Sequence, residues 1–412
     1  MASRRQRSVL RRSLPNPSPA RGEGLEAAPG GGLWLSCRPM DSLSQFALGA
    51  AVGAAVMGRR TALWKAALWG GVLGTLPDLD AFIDHGDPVR NMVLHRAETH
   101  ALFWQTLASP VLAALITWWP SRSPARTTSP TPAIAHPAAS ARAPAPAAPS
   151  ASNHSPWRDY PAWLLTVWLV LVTHALLDTM TVYGTQLALP FSNHPYGLGS
   201  MFIIDPLYTL PLLAGLAGAL AWRGPARGRW NLAGLVLSTA YLGWSAAAQH
   251  HVEGVVRAQL ATQPDAAQVE RVLVTPTAFN TVLWRVVLMR SDGYDEGFHS
   301  LLDDGRPIRY TRFARDRALY EQLRELDAVA RIAAFSHGFF RVDERDGVVR
   351  ITDLRMGQEP GYVFSFAVAR RGSPLQPLAP PVQVGGRDDI DVPAALRWLG
   401  RRMLGEDIDP PR

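Results

Sequence analysis

In the apolar half of this chain the side chains that could do chemistry fall in three short groups and at one further aspartate, all at the ends of apolar segments. Pro77-Asp78-Leu79-Asp80 places two carboxylates two residues apart. In an extended stretch both would point the same way, and adjacent carboxylates repel unless a cation or a shared proton relieves them. His95-Arg96-Ala97-Glu98-Thr99-His100 adds two imidazoles five residues apart. That spacing does not share a helical face, so at least one of them sits in a turn. His174 and Asp178 are four apart within the apolar run 161–182. They share one helical face, and such a pair near hydrocarbon depth is a functional hypothesis by default. Asp205 precedes Pro206 and reads as a helix N-cap, a further ligand or a general base.

These donors are imidazoles and carboxylates only. One cysteine, Cys37, excludes a Cys-rich zinc or iron–sulfur site and any disulfide within the chain. Hard carboxylates with imidazoles suit a divalent metal ion, zinc first, with manganese or magnesium as alternatives. Such a centre generates a hydroxide nucleophile and polarises a phosphoryl or carbonyl oxygen, so hydrolysis is the economical inference. The expected ligands are His95, His100, His174 and Asp178, with Asp78 and Asp80 as further or bridging carboxylates. Arg96 is expected to hold substrate phosphate. Taken singly, each group also reads as a solvated loop, an interfacial anchor or a structural hydrogen bond. Their shared position, at the same ends of the apolar segments, is what joins them. No G-x-x-x-x-G-K-[ST], H-E-x-x-H or G-x-S-x-G motif competes. The rival class is a non-catalytic envelope scaffold with a structural metal or none.

The elements that must position these groups are apolar. Of the residues, 47% are hydrophobic and 18% charged, against about 25% charged in ordinary soluble domains, which points to a membrane. Segments 46–57 and 62–76 form a short pair, and 101–119, 161–182, 203–222 and 230–248 are better spanning candidates. The expected fold is a polytopic α-helical membrane domain of about four to six apolar helices, followed by a soluble α+β domain. The membrane domain would occupy 40–250 and contain a low-complexity Pro/Ala/Ser/Thr loop at 120–159. The α+β domain would cover 251–370, with strands near Val282–Met289, Val348–Asp353 and Tyr362–Val368 and helical spacing over 316–333. A C-terminal extension with a short helix, 371–412, would complete the chain.

Residues 1–39 read as a disordered leader, or as upstream sequence before a true start at Met40. Their seven Arg and two Glu supply +5 of the formal +7. The remainder is nearly balanced, so nucleic acid is not an expected partner. Arginines at 59, 60, 223, 227 and 229 and in the 120–159 tract lie in alternate connections. They are expected on the cytoplasmic side of a membrane, in a multi-pass chain whose site and C-terminal domain face the opposite side, which in a Gram-negative cell is the periplasm. The expected partners are the lipid bilayer and a lipid or phosphoester substrate.

With those residues in hand, the chain resembles the YdjM-type family of bacterial inner-membrane, metal-dependent hydrolases. The likeness begins at Met40-Asp41-Ser42-Leu43-Ser44-Gln45 and runs through Gly74-Thr75-Leu76-Pro77-Asp78-Leu79-Asp80 and His95-Arg96-x-x-Thr99-His100. It continues in His174-x-x-Leu177-Asp178-x-x-Thr181-x-Tyr183-Gly184-Thr185-Gln186 and Ile204-Asp205-Pro206-Leu207-Tyr208. In the polar half, Pro276-Thr277-x-Phe279-Asn280-Thr281 and Thr352-Asp353-Leu354-Arg355-Met356-Gly357 also fit. The resemblance implies an integral membrane hydrolase whose metal is held by the matching Asp and His positions. Gln45 stands where some relatives are expected to have His, so a ligand is expected to be missing there.

Overall fold

The computed structural model describes residues 42–118, 156–222, 224, 226–385 and 391–411. The leader 1–39, Met40 and nearly all of the 120–159 tract lie outside the described residues. Everything described belongs to one compact unit.

The apolar half builds six main helices. They are α1 (Ser42–Met57), α2 (Leu63–Thr75), α4 (Leu102–Trp118), α5 (Tyr160–Thr179), α6 (Pro206–Ala221) and α7 (Arg227–Leu260). A short α3 (Pro88–Leu94) and two 3-10 turns, Pro77–Phe82 and Glu98–His100, lie between α2 and α4. Packing of α1 on α2 depends on glycine. A Cβ on Gly49 would sit 2.3 Å from the Gly70 carbonyl oxygen, and one on Gly70 would sit 2.2 Å from that of Gly49. Small residues facing each other let two backbones approach this closely. The antiparallel pair that results carries the C-terminal end of α2, with Gly74 and the turn bearing Asp78, alongside α1.

The helices turn their polar side chains inward. On α4, Gln105 and Ser109 are buried while Leu107, Val111 and Leu115 are exposed. On α7, Asn231, Ser238, Ser245 and Gln249 are buried while Leu232, Val236 and Leu237 face outward. Exposed apolar side chains over buried polar ones invert the usual distribution of a helix packed in water.

The expectation of four to six membrane-crossing helices does not hold. Among the described residues one helix, Trp157–Thr179, is long and apolar enough to cross. A second qualifies only if Pro88–His100 and Leu102–Trp118, bent by 55° at their junction, act as one span. The reason is length: α1, α2 and α6 have 16, 13 and 16 residues, short of the ~20 that a bilayer core requires. The long α7 has 34 residues, but its buried polar face lowers its apolar character.

An α+β part follows. Strands β1 (Arg271–Pro276), β2 (Leu283–Met289), β3 (Gly293–Ser300) and β4 (Tyr310–Ala314) form an antiparallel meander in that order. After α8 (Arg317–Leu323) and α9 (Asp327–Phe335) come β5 (Phe340–Arg345), β6 (Val348–Asp353), the hairpin β7 (Gly357–Gln358) and β8 (Gly361–Tyr362), β9 (Ser365–Arg370) and β10 (Gln376–Gln383). Their second sheet runs β10-β9-β6-β5. The helical spacing over 316–333 resolves into α8 and α9, because Leu326 is extended and caps the second helix. The closing α10 (Val392–Met403) buries Trp398 against Leu283 and Phe298.

This part is not separate from the helices. The C-terminal half of α7 buries Val252 and Val256 against Val286 and Leu288 of β2. Val89 and Met92 of α3, with Tyr183, belong to the same core as Ile332, Val342, Ile351 and Phe366.

Glycine at position 70 is therefore a packing requirement. Gly70→Ala should cost about 1–3 kcal/mol by overpacking, seen as a lower thermal midpoint in detergent. Gly254→Ala on α7, whose added Cβ meets nothing, should be neutral or gain up to about 1 kcal/mol from helix propensity.

Candidate metal centre

Four ionisable side chains meet at one end of the helices. Asp78, His100, His174 and Asp178 each offer a donor atom, and the four atoms lie within 4.8 Å of one another. The Nε2 atoms of His100 and His174 are 3.0 Å apart. Asp178 Oδ2 lies 3.2 Å from His100 Nε2 and 3.4 Å from His174 Nε2, and Asp78 Oδ1 lies 3.5 Å from each. His100, His174 and Asp178 are wholly buried. Asp78 retains 10% side-chain exposure and so marks the open edge.

Local structure explains each position. On α5, the buried residues Trp163, Val167, Val170, His174 and Asp178 recur at three- and four-residue steps, so the helix that buries its apolar stripe also buries the pair. Pro77 starts the 3-10 turn that presents Asp78. Arg96 has a left-handed φ of 64°, and this turns the chain between α3 and the Glu98–His100 turn that places His100. A non-glycine residue held in that region stores strain, which clusters at functional sites.

The hydrogen bonds fix which imidazole nitrogens face the cluster. His174 Nδ1 is 2.7 Å from the Gly74 carbonyl oxygen, which only accepts, so Nδ1 carries the proton. Thr99 donates its hydroxyl proton to Asp80 Oδ2 at 2.5 Å and lies 2.9 Å from His100 Nδ1, so that nitrogen also donates. In the neutral rings both Nε2 atoms then present lone pairs to each other. Asp78 Oδ2 and Asp178 Oδ2 are buried and accept no hydrogen bond from the described residues. Two lone pairs and two carboxylates in contact repel unless a cation lies among them or the rings take up protons, which burial opposes and the neighbouring carboxylates favour more strongly. Donor separations of this size are those of atoms about 2.0–2.2 Å from a shared zinc-sized ion. The cluster could hold a divalent metal ion.

Asp80 and His95, both expected as ligands, stand one step back. In a 3-10 turn residues two apart point to different sides, so Asp78 enters the cluster and Asp80 does not. Asp80 instead contacts His95 Nδ1 at 2.7 Å, the backbone N–H of Arg96 at 3.1 Å and His100 Nδ1 at 3.3 Å. Burial works against its charge, and the His100 and His95 contacts outweigh burial, holding the carboxyl well below the usual range. With no cation in the cluster Asp78 is likewise depressed: burial opposes its charge, and His100 and His174, as protonated rings donating Nε2–H to it, overcome burial.

Arg96 is 1% exposed, and its guanidinium faces Asp178 at 3.4 Å and Thr181 at 3.2 Å. It neutralises a cluster carboxylate and is not presented outward for substrate phosphate. Asp205 does not join the cluster: it caps α6 through the Leu207 N–H and accepts from Tyr241 at 2.7 Å. Burial raises its pKa, with the Tyr241 hydrogen bond pulling the other way. Gln45 donates to Asp178 Oδ1 at 2.9 Å. The Gly74 carbonyl had no sequence signal, since any residue type supplies one, whereas Thr99 lay beside His100 in a quoted motif.

The family is shown by the sequence of this chain. The family model described as the YdjM inner membrane protein matches residues 40–252, more than half of the chain and all four cluster residues. The protein belongs to that inner-membrane family. No curated protein and no solved structure matches it.

Because Asp80 orients His100, Asp80→Asn should weaken zinc retention by roughly 10- to 100-fold, the usual cost of losing a ligand's orienting partner. Chelator competition on the purified, detergent-solubilised protein measures this. Unchanged retention would mean that Asp80 does not act on the cluster.

Proposed function

We propose that this protein is a membrane-bound, metal-dependent hydrolase acting on an ester or phosphoester of an amphiphilic, lipid-like substrate. The observation that supports it most is the pair of imidazole Nε2 atoms, 3.0 Å apart, flanked by the buried Asp178 and the partly exposed Asp78. A divalent ion bound there, zinc before manganese or magnesium, would supply Lewis acidity and lower the pKa of a water molecule.

The protein groups have distinct tasks in this reading. Asp80, Thr99 and the Gly74 carbonyl keep both imidazoles turned inward. Gln45 and Arg96 occupy Asp178 Oδ1, which leaves Oδ2 toward the two Nε2 atoms. Asp78 sits at the open edge with Oδ2 unused, so it is the group assigned to take the proton of the attacking water. As the water oxygen bonds to phosphorus or the acyl carbon, the ester C–O or P–O bond breaks. The proton passes from Asp78 to the leaving oxygen.

The substrate class is argued from the surroundings of Asp78. Leu79, Phe82 and Ile83, on and beside the same turn, are 52%, 66% and 51% exposed. An exposed apolar rim beside a buried polar centre suits a substrate with a hydrocarbon part and a scissile polar group. Micellar phosphodiester and carboxylic ester substrates should be cleaved by the zinc-loaded protein, and His174→Ala and Asp78→Asn should lose at least a hundredfold in kcat. Protein without stoichiometric metal, unaffected by His174→Ala, would instead support a non-catalytic scaffold.

The orientation proposed is supported by the opposite end of the helices. Arg227 donates to the Gly58 carbonyl at 3.0 Å, and Arg60 lies 3.9 Å from Asp159 at the start of α5. The arginine-rich turns thus gather at one end of α5, with His174 and Asp178 near the other. The positive-inside rule assigns the arginine end to the cytoplasm and the site, with the α+β part, to the periplasm of a bacterial inner membrane. A reporter fused after Arg412 should be active only when it requires the periplasm; activity confined to the cytoplasm would reverse the orientation.

A further inference from the structure

The family match ends at residue 252, yet the turn that follows Asp178 is held from far beyond that point. Arg355, 3% exposed at the side chain, pairs with Asp353 at 2.7 Å. Its Nη1 donates to the carbonyl oxygens of Val182 at 3.2 Å and Tyr183 at 3.0 Å. The guanidinium also lies 4.9 Å over the Phe335 ring. One rigid fork therefore joins β6, α9 and the segment 182–183, four and five residues after Asp178.

That segment reaches back to the cluster by several contacts. The Tyr183 hydroxyl donates to the Met92 carbonyl on α3, and the Tyr183 ring lies 5.8 Å from that of His95. The Arg96 guanidinium lies 5.2 Å over the same ring and contacts Asp178. Gln186 donates its backbone N–H to the Arg96 carbonyl at 3.0 Å and its side chain to the Val93 carbonyl at 2.9 Å. Thr181 donates to the Asp178 carbonyl at 2.8 Å.

We infer that Arg355 is a positioning residue for the metal centre, by which the α+β part sets the geometry of a site whose donors all lie outside it. This rests on the reading of the cluster as a metal site. Guanidinium is suited to the task because its planar fork serves a carboxylate and two carbonyls at once, which a lysine ammonium cannot do in the same geometry.

The test uses the full-length, detergent-solubilised protein and zinc as the probe. Arg355→Lys and Arg355→Met should weaken zinc retention by about tenfold or more in chelator competition. In the metal-free protein they should raise amide hydrogen exchange over residues 181–186. Arg402→Met provides the scale for destabilisation alone, since it breaks the buried Arg402–Asp303 pair on α10 without touching that segment. It should lower the thermal midpoint yet keep zinc affinity within about twofold, the spread expected of uncoupled sites. Wild-type zinc affinity in folded Arg355→Lys protein would overturn this inference alone. Wild-type protein that binds no zinc would overturn both this inference and the metal reading beneath it.

Discussion

Four ionisable groups packed into one buried cluster are the constraint around which the rest of the structure is arranged. Each would be costly to bury alone, and the two imidazoles face each other through Nε2 atoms 3.0 Å apart. Such a group of donors keeps its shape only if every remaining polar atom is fixed from outside. The surrounding residues do this individually. Gly74 and Thr99 set the tautomers, Asp80 holds four neighbours, and Gln45 with Arg96 occupies the outer oxygen of Asp178.

The fold serves that requirement more than it serves compactness. Gly49, Gly70 and Gly74 bring α1 and α2 to backbone contact, which delivers Gln45 to one side of Asp178 and the Gly74 carbonyl to His174. The helices face the exterior with leucine, valine and tryptophan and keep serine, asparagine and glutamine inside. Such a distribution is favourable where the surroundings are hydrocarbon and costly in water. It agrees with the inner-membrane family to which the chain belongs. The α+β part shares its core with α3 and Tyr183, so it is joined to the site loops through apolar packing as well as through Arg355.

Much of the site could be read in the sequence, because helical periodicity is a strong signal. His174 and Asp178 at a four-residue step inside an apolar run could hardly face different ways. Asp78 and His100 were legible through their place at the ends of apolar segments. The division between donors and supports was not legible, since it depends on a 3-10 turn that swings Asp80 away from Asp78 and on a left-handed Arg96. The number of membrane-crossing helices was overread for a different reason. Composition reports how apolar a segment is, whereas crossing also depends on where its helix stops, and α1, α2 and α6 stop early. The link from Arg355 to the turn after Asp178 spans more than 170 positions, beyond any periodicity.

The four donors are not equivalent, and the difference bears on catalysis against structure. Four protein ligands are the closed set typical of structural zinc, while catalytic sites leave a position open. Three of the donors here, His100, His174 and Asp178, are at most 3% exposed at the side chain and held by neighbours on several sides. Asp78 stands apart. It alone of the four keeps some exposure, and neighbours leave its Oδ2 unengaged, as they do that of Asp178. A carboxylate so placed can shift between one and two donor oxygens, or yield an edge to water, at little cost to the other three. Leu79, Phe82 and Ile83 are exposed on and beside that same turn, so the yielding carboxylate and the apolar side chains that would meet an amphiphile belong to one short stretch of chain.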